Sequence, residues 1–413
     1  MASLKVIARL LKLTDLKLVA LSFHRADLVR LHVKPYKNGC RCPECARRCR
    51  IVRQRPEARQ WRDLAVGGWR LVFVYAPREI RCPTHGRCEE SIPWASPRSR
   101  ITHRFEYAML RHCQVMSQKA AAALLKVSAS TLSDLLHRSI ERRRAGHRIR
   151  NLKHLGIDEI SFHKRHKYAT LVYDLERSQV VWIGRGRGRE TIDRFFSEQL
   201  SAFQRARVRA ACCDMNGAYM GAISTHCPNA TLVLDRFHVV KHLNAVVDEV
   251  RKQQWREARG EHRKAIKGMR WLLYRHSSTR SAEQTAALQA LERSNRRIYR
   301  AWRLKDEFEQ LWQYKARWAA NRFLKRWTTS ALRSRLEPLR KFVATVRRHQ
   351  EAIVAYCDTR LTNAIGEGLN RIAKIVKNRA SGFRDLPPFA DLIYLSVGDV
   401  DIPAQIPARF RTV

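Results

Sequence analysis

The chain has 413 residues, with 81 Lys+Arg against 37 Asp+Glu, which gives a formal net charge of +44. Hydrophobic residues make up 45% and ten tryptophans are present, so we expect folded domains rather than a basic disordered tail. Because so much like charge opposes compaction, a polyanionic partner is expected, and nucleic acid is the leading candidate. No apolar run approaches the roughly 18 residues of a membrane-spanning helix, which argues against a membrane protein.

The cysteines and the first residues indicate the compartment. The eleven cysteines are an odd number and mostly form close pairs, which is not the spacing of a disulfide scaffold. Lys5, Arg9 and Lys12 interrupt the first residues, which therefore lack the apolar block of a secretory signal. We expect a reducing cytoplasm, with a basic transit-like helix as the alternative.

Two short cysteine motifs in the first hundred residues indicate a metal site. Alternating apolar residues predict strands over residues 28–34 and 68–76, and each strand leads to a knuckle. The knuckles, whose four candidate ligands suit tetrahedral zinc in a closed structural site, are Cys42-Pro-Glu-Cys45 and Cys82-Pro-Thr-His85. Cys88 is the main substitute for His85, and Cys40 and Cys49 also compete for ligand places. The alternative interpretation is a set of scattered reduced thiols.

Residues 101–145 have a helical pattern. Helices are predicted over 105–115 and 117–126, and a third opens after Val127 with Ser and Thr residues suited to an N-cap. Lys126 lies at the turn between the last two, where glycine is more comfortable. We interpret the segment as a DNA-contacting helix-turn-helix, and the alternative is a solvated basic helical linker. The predicted DNA-binding residues are Ser130, Thr131, Arg138, Arg142 and Arg143.

The pattern changes to strands from His154. Three short strands predict an antiparallel meander, and a helix, a strand, a helix and a further strand follow. This order is that of the ribonuclease H-like fold, in which the first and fourth strands are neighbours and bring Asp158 and Asp214 together. Paired carboxylates stay ionised only beside cations, so a site for a hard divalent ion is expected. Glu159, Asp174 and Asp235 are rival carboxylates.

The last part of the chain is predicted to be helical. From Val239 to Asp358 there is no strand candidate, and we interpret the six tryptophans of this segment as core residues rather than base-stacking platforms. A further helix follows, with an apolar stripe at its three- and four-residue steps. That stripe is Ile365, Leu369, Ile372 and Val376, with Glu367 off it.

Four motifs together resemble a known family. The Gly-Ile-Asp158-Glu, Asp214-Met-Asn-Gly-Ala-Tyr, Asp235-Arg-Phe-His-Val and Thr362-Asn-Ala-Ile-Gly-Glu367-Gly-Leu-Asn-Arg segments are similar to those of DDE-type bacterial insertion-sequence transposases of the ISL-three family. By this resemblance Asp158, Asp214 and Glu367 are the catalytic residues and hold Mg²⁺ or Mn²⁺. His85 is a departure, because the family usually shows cysteine there.

The resemblance implies an α/β architecture in five parts. These are a strand region and zinc ribbon over residues 1–100, a helix-turn-helix over 101–150, a ribonuclease H-like core over 151–238, an all-helical insertion over 239–358, and a C-terminal helical part of the core with the glutamate over 359–413. It also implies structural Zn²⁺ and a cytoplasmic, nucleoid-associated bacterial protein.

The implied reaction is metal-dependent cleavage and transfer of DNA strands. The substrates are double-stranded DNA at the terminal inverted repeats of the element and at the target, and a homodimer on DNA is expected. Two alternatives stay open: a zinc-containing DNA-binding regulator without catalysis, and a ribonuclease H-like junction nuclease.

Overall fold

A computed structural model describes residues 4–13, 16–24, 27–35, 40–146, 148–163 and 167–398, together with 400 and 402. The chain divides into two compact units. The first comprises Met1–His147 and Val376–Val413, and the second comprises Arg148–Ile375.

The elements are given in chain order. The strands are β1 Leu16–Phe23, β2 Leu28–Pro35, β3 Arg50–Gln54, β4 Arg59–Arg62, β5 Arg70–Tyr75, β6 Arg78–Cys82, β7 Gly86–Glu89, β8 His154–His163, β9 Lys167–Asp174, β10 Gln179–Arg185, β11 Ala210–Cys213 and β12 Thr231–Leu234. The helices are α1 Leu4–Leu10, α2 His103–Val115, α3 Gln118–Leu124, α4 Ala129–Arg144, α5 Arg189–Arg194, α6 Ala202–Ala206, α7 Gly217–His226, α8 Arg236–Glu257, α9 Gly260–Gly268, α10 Arg270–Tyr274, α11 Ala282–Ser294, α12 Arg296–Phe308, α13 Arg317–Arg333, α14 Glu337–Arg348, α15 Gln350–Val354, α16 Tyr356–Thr359, α17 Ala364–Arg379 and α18 Leu386–Val397.

The first unit contains a four-stranded sheet in the order β1-β2-β5-β4. The two strands predicted from alternation, β2 and β5, are confirmed, and they are parallel neighbours at its centre. Leu31 and Phe73 lie on the buried face of this sheet, opposite each other in the register. Trp61 and Trp94 complete the core with an edge-to-face contact.

A second sheet of the first unit, β3-β6-β7, was not predicted. Its strands are four or five residues long and rich in arginine, so they lack the alternating apolar pattern of a half-buried strand. Ile80 at its centre is fully buried among the cysteine side chains. The metal-binding motifs therefore provide the core of this sheet, which the hydrophobic pattern could not reveal.

The three helices predicted for the helix-turn-helix are confirmed as α2, α3 and α4. Serine or threonine side chains cap all three: Thr102 accepts from the Phe105 N–H, Ser117 from that of Ala120 and Ser128 from that of Thr131. Lys126 in the turn has φ 51°, the left-handed region that favours glycine.

The second unit is built on a five-stranded sheet in the order β10-β9-β8-β11-β12. The predicted meander is confirmed, since β8, β9 and β10 pair antiparallel. The two later strands run parallel to β8, with β11 beside it and β12 at the edge. The carboxyl ends of β11 and β12 therefore lie at the same side of the sheet, level with the middle of β8.

Residues 239–358, all of which the structure describes, contain no strand, as predicted. The expectation that their tryptophans are core residues holds only in part. Trp302, Trp312 and Trp327 are buried, whereas Trp271 and Trp318 are 69% and 71% exposed. Trp327 packs edge-to-face with Phe308, and its indole N–H donates to the Leu304 carbonyl oxygen.

Helix α17 differs from the predicted apolar stripe. Leu369 and Val376 are buried, but Ile365 and Ile372 are 37% and 38% exposed, because the buried face also takes in small and polar residues. Asn363, just before the helix, Asn370 and Ala373 are buried instead. The buried face therefore shares Leu369 and Val376 with the predicted stripe but is rotated toward Asn370 and Ala373. Within the described residues, no helix has the length and apolar character needed to cross a membrane.

Candidate active site and metal centre

Three aspartates lie at equivalent positions on neighbouring parallel strands of the second unit. Cys212 of β11 is paired with Gly156 of β8, and Cys213 is paired with Leu234 of β12. Continuing these registers puts Asp214 level with both Asp158 and Asp235. We call Asp158, Asp214 and Asp235 the acidic row. Its members act on one another electrostatically, because the charges of Asp214 and Asp235 both raise the pKa of Asp158.

Asp158 is held from two sides. Its Oδ1 accepts from the Glu159 backbone N–H at 2.7 Å, and its Oδ2 accepts from Asn370 Nδ2 at 2.6 Å. The Tyr173 hydroxyl donates to Asn370 Oδ1 at 2.6 Å, which fixes the orientation of that amide. Burial raises the pKa of Asp158 to about 6, against the Glu159 N–H and the nearby His238. A divalent cation would remove this penalty on the ionised form.

His238 and Glu367 approach the row from two helices. His238, in the first turn of α8, lies with Nδ1 3.1 Å from Asp235 Oδ2, and this contact raises the pKa of the imidazole. Glu367 is in the first turn of α17 and is half-buried. Burial raises its pKa, followed by the charge of Asp235, while His238 and Lys374 act to lower it. Glu367 is thus in electrostatic reach of Asp235 and His238.

A close approach of strand and helix brings α17 to this site. The Asn363 backbone N–H donates to Asp235 Oδ1 at 3.4 Å, and the Asn363 side chain lies between Gly156 and Gly366. A Cβ on Gly156 would come within 2.7 Å of Asn363 Oδ1 and 2.9 Å of Leu175 Cδ2. A side chain at Gly156 would therefore push the start of α17 away from the sheet.

The sequence-based assignment is thus extended at this site. Asp158 and Asp214 lie on adjacent strands, and Glu367 stands on a helix that starts beside them. Asp235 had been considered only as a rival, yet it completes the row and contacts His238. Asn370 was not nominated, although it lies in the same Gly-Leu-Asn-Arg segment that follows the glutamate. The position of Asn370, about one helix turn after Glu367, was the available indication in the sequence.

The donor chemistry of this site suits hard divalent ions. Carboxylate oxygens are the ligands that Mg²⁺ prefers, and several unneutralised acids at one edge repel one another unless cations lie between them. The residues present therefore fit a divalent metal site.

The two cysteine knuckles of the first unit come together as predicted for a metal centre. The ligand atoms of Cys42, Cys45, Cys82 and His85 all lie within 4.8 Å of one another. The Cys45–Cys82 sulfur distance and the distances from His85 Nδ1 to the Cys42 and Cys82 sulfurs are each 3.6 Å. Ligands at about 2.0–2.3 Å from a tetrahedral zinc have separations of about this size. The four residues therefore fit zinc.

The knuckle backbone also favours thiolates. The His85 backbone N–H, aided by the His85 side chain and the Thr84 N–H, lowers the pKa of Cys82 to about 6 despite burial. Cys88, the alternative ligand, lies beside the cluster, and burial followed by the Cys42 thiolate raises its pKa to about 11. The geometry thus brings His85 rather than Cys88 into the set of four.

The predicted DNA-binding residues fall into two groups. Ser130, Thr131 and Arg138 are exposed on α4. Arg142 and Arg143 near its C-terminus instead approach the buried Glu106 of α2, with Nη2–Oε1 distances of 2.7 and 3.4 Å. These two arginines therefore hold the helices together in this structure.

Comparisons with known proteins agree with these features. A family model described as a transposase matches residues 155–393, and one described as the helix-turn-helix domain of transposase family ISL3 matches residues 90–140. The transposase for insertion sequence element IS1001 of Bordetella parapertussis is 32% identical over 364 residues, which cover 86% of this chain and 88% of that protein. The transposase for IS1557 of Mycobacterium tuberculosis is 27% identical over 372 residues, or 83% of this chain and 82% of that protein.

Among solved structures, the Drosophila P element transposase strand transfer complex covers 75% of this chain and 92% of its own, with 10% identity and a TM-score of 0.39, a score too low to assign a fold. The transposase family match spans more than half of the chain, and the Bordetella relative aligns over most of both proteins. The chain therefore belongs to the ISL3 family of insertion-sequence transposases, which are DNA-transposing enzymes.

Proposed function

We propose that Asp158, Asp214 and Glu367 hold the divalent metal ions with which this transposase cuts and joins DNA at the ends of its insertion sequence. The observation that carries the proposal is the strand register that aligns Asp158 with Asp214, with Glu367 beginning a helix beside the same edge. Asp235 is coupled electrostatically to two of them, because its charge acts to raise the pKa of both Asp158 and Glu367.

The sheet order supports a ribonuclease H-like core. A meander of three strands followed by two parallel strands, in the order β10-β9-β8-β11-β12, is the arrangement expected of that fold. Helices α8 to α16 then separate the last strand from Glu367, as an all-helical insertion would. Within this segment α8 packs against α10, α12 and α14. The domain limits predicted from the sequence remain part of this proposal.

The side chains around the site have separable tasks in this mechanism. Mg²⁺ or Mn²⁺ held there would lower the pKa of an attacking water and stabilise the leaving 3′ oxygen. Asn370 orients Asp158 through its amide, and Tyr173 orients Asn370. His238 holds the Asp235 carboxylate, and the Asn363 N–H supports it from α17. No serine or tyrosine nucleophile is assigned, since a freed 3′-OH attacks the target directly.

DNA recognition is proposed to reside in the first unit. Ser130, Thr131 and Arg138 on the exposed side of α4 would read the terminal inverted repeats in the major groove. The zinc set Cys42, Cys45, Cys82 and His85 would stabilise the adjoining sheet. Two ends must be held together during joining, so a homodimer on DNA, associated with the nucleoid, is part of the proposal.

The test is a cleavage and strand-transfer assay with Mg²⁺ on DNA ends taken from the flanks of the encoding gene. Wild type is compared with Asp158→Asn, and Glu159→Gln is the matched control because Glu159 is the next residue on β8, pairs with Arg187 and lies outside the proposed set. We expect joined products from wild type and Glu159→Gln, and end binding without cutting from Asp158→Asn. Cleavage retained in Asp158→Asn would remove Asp158 from the site.

A second pair of variants tests the glutamate. Glu367→Gln is expected to bind ends without cutting, whereas Glu351→Gln, at an exposed position on α15, is expected to keep full activity. The reverse result would transfer the third carboxylate to Glu351. Cutting without joining in wild type would favour a nuclease, and binding alone would indicate an inactive copy of the element.

A further inference from the structure

The small sheet β3-β6-β7 carries a row of like charges directly opposite one another. In its register Arg50 of β3 faces Arg81 of β6, and Arg81 faces Arg87 of β7. All three side chains are exposed, and none has an ion-pair partner among the residues that the structure describes. We call Arg50, Arg81 and Arg87 the arginine row. Like charges directly opposite on neighbouring strands destabilise a sheet, so folding alone does not account for it.

The next row of charges on the same face of the sheet is neutralised by ion pairs, so the repulsion between like charges is confined to the arginine row. Glu79 of β6 faces both Arg53 and Glu89 in the register. Arg53 Nε lies 2.8 Å from Glu79 Oε2, and Arg59 Nη1 lies 2.6 Å from Glu89 Oε1. In this row Arg53 of the small sheet and Arg59 of β4 are paired with carboxylates, whereas one step along the strands the arginines have no ion-pair partner within the described part of the chain.

The zinc set determines which way the arginine row faces. Ile80 and Cys82, which flank Arg81 on β6, are buried on the side of the cysteine cluster. Because side chains alternate along a strand, Arg81 points to the opposite, solvent side. An isolated antiparallel bridge pairs the exposed Arg41 with the exposed Arg48, and Arg48 lies two residues before Arg50. These two arginines extend the positive surface.

We propose that the arginine row is a phosphate-binding surface for double-stranded DNA, separate from α4 of the helix-turn-helix. Three adjacent strands span about 10 Å, which matches the rise along the duplex axis of about three phosphates of one DNA strand. Guanidinium groups bind phosphate in a bidentate fashion, and a bound polyanion removes the repulsion within the row. The inference rests on the proposed DNA substrate, but it requires neither the acidic row nor cleavage.

The test measures binding of the full-length protein to a fluorescent random-sequence duplex as a function of salt, without Mg²⁺ and without chelator so that bound zinc is retained. The variant Arg50→Gln/Arg81→Gln/Arg87→Gln should reduce the slope of log affinity against log salt by about 2.7, since each phosphate contact contributes about 0.9. Extrapolated from 1 M salt, this corresponds to roughly 100-fold weaker binding at 0.15 M.

Three controls separate the surface from bulk charge and from folding. The triple lysine variant keeps the charges and should keep the slope. The variant Lys264→Gln/Arg297→Gln/Arg317→Gln removes the same charge from exposed ion pairs of the helical segment and should change the slope little. The variant Arg53→Gln/Glu79→Gln removes the neutralised pair of the adjoining row and should leave the slope unchanged.

Zinc content and thermal melting verify that each variant is folded. If the triple glutamine variant is unfolded, the single variant Arg81→Gln replaces it, with an expected slope change of about 0.9.

The outcomes are distinct. An unchanged slope in a folded glutamine variant overturns the proposal, as does an equal loss in the glutamine and lysine variants, or an equal loss in the charge-matched control from the helical segment. The same titration is repeated on a duplex of the element's own ends, and a loss seen there but not on the random-sequence duplex would mean base reading and would overturn the phosphate assignment. Because nothing in this measurement depends on cutting, a failure of the catalytic assignment leaves it unaffected.

Discussion

The two units each hold like charges in register across three neighbouring strands, but with opposite sign and opposite exposure. The acidic row of the second unit is largely enclosed, with Asp158 8% and Asp235 2% exposed, and amide and imidazole groups fix its carboxylates. The arginine row of the first unit is open to solvent and has no ion-pair partner among the residues with described positions. Repulsion in a buried row must be relieved by small cations, whereas an exposed row is accessible to a large polyanion.

Enclosure and exposure have different physical consequences for the two rows. Enclosure fixes the position of each carboxylate, at the expense of a desolvation penalty on its ionised form. Exposure leaves the arginines mobile, and binding then depends mainly on charge and salt rather than on sequence.

The largest effect is expected from the metal centre that supports the arginine row. Cys42→Ser/Cys45→Ser should release zinc and unfold the small sheet, because structural zinc contributes on the order of 10 kcal/mol to folding of small metal-dependent domains. Metal analysis and DNA binding of the purified protein would show both losses. An unchanged zinc content would refute this metal assignment, while Mg²⁺ binding in the second unit should persist.

Neutralising one member of the acidic row should separate catalysis from stability. Asp214→Asn is expected to lower DNA cleavage by more than about 100-fold, beyond the roughly 10–100-fold typical of a group that only supports a ligand. The same change removes one repulsive charge, so the metal-free protein should melt at a higher temperature. Cleavage within tenfold of wild type, or a lower melting temperature, would contradict the assigned repulsion.

An ion pair next to the arginine row should confer acid sensitivity on the first unit. Although burial acts to raise it, Arg78 and the Tyr75 hydroxyl hold the pKa of Glu90 below its ordinary value of 4.5. Since the folded-state pKa is lowered, this stability is present above about pH 4.5 and is lost as the pH falls through the folded value.

Glu90→Gln should therefore lower the free energy of unfolding at pH 7 by about 2–3 kcal/mol and flatten its dependence on pH below 4.5. Denaturant unfolding at pH 7 and pH 4 measures both effects. Equal sensitivity to acid in the variant and wild type would exclude Glu90 as the origin of the acid response.

A smaller effect is expected behind the acidic row. Asn370→Ala removes the amide that orients Asp158 and should weaken Mg²⁺ binding about tenfold, as is typical of supporting groups. Asn378→Ala, at an exposed position of the same helix, is the matched control. Calorimetric titration with Mg²⁺ compares the two, and equal affinities would show that the Asn370 contact is dispensable.

The smallest effect tests the cost of the arginine row itself. Arg81→Gln should raise the free energy of unfolding by less than about 1 kcal/mol, because a like-charge pair is removed on each side of β6. Arg53→Gln, which breaks an ion pair on the same face, should not stabilise the protein. If both changes stabilise the protein, the stabilisation comes from the lower net charge and not from the position of Arg81 opposite other arginines.

Much of the fold was predictable from local patterns. Alternation identified β2 and β5, short runs rich in branched and aromatic residues identified the meander, and the serine and threonine residues after Val127 identified the start of α4, because these signals depend on residues close in the chain. The small sheet was missed because Cys42, Cys82 and their neighbours replace the apolar residues that a strand pattern requires.

The candidate site was predictable in its members but not in its full extent. Asp158, Asp214 and Glu367 were chosen from motif context, yet Asp235 was kept as one of three rivals, although its Asp-Arg-Phe-His-Val segment is one of the four motifs that carry the family resemblance. Only the pairing of β11 with β12 aligned Asp235 with the other two.

The residue types, the spacing of the two cysteine knuckles and the positions of the capped helices can be read from local sequence, since they depend on neighbours within a few residues. Which charges lie side by side, in the acidic row and in the arginine row, and which face of α17 is buried depend on the tertiary structure. The register between strands far apart in the chain is set by packing and backbone pairing over the whole unit, and no short stretch of sequence contains it.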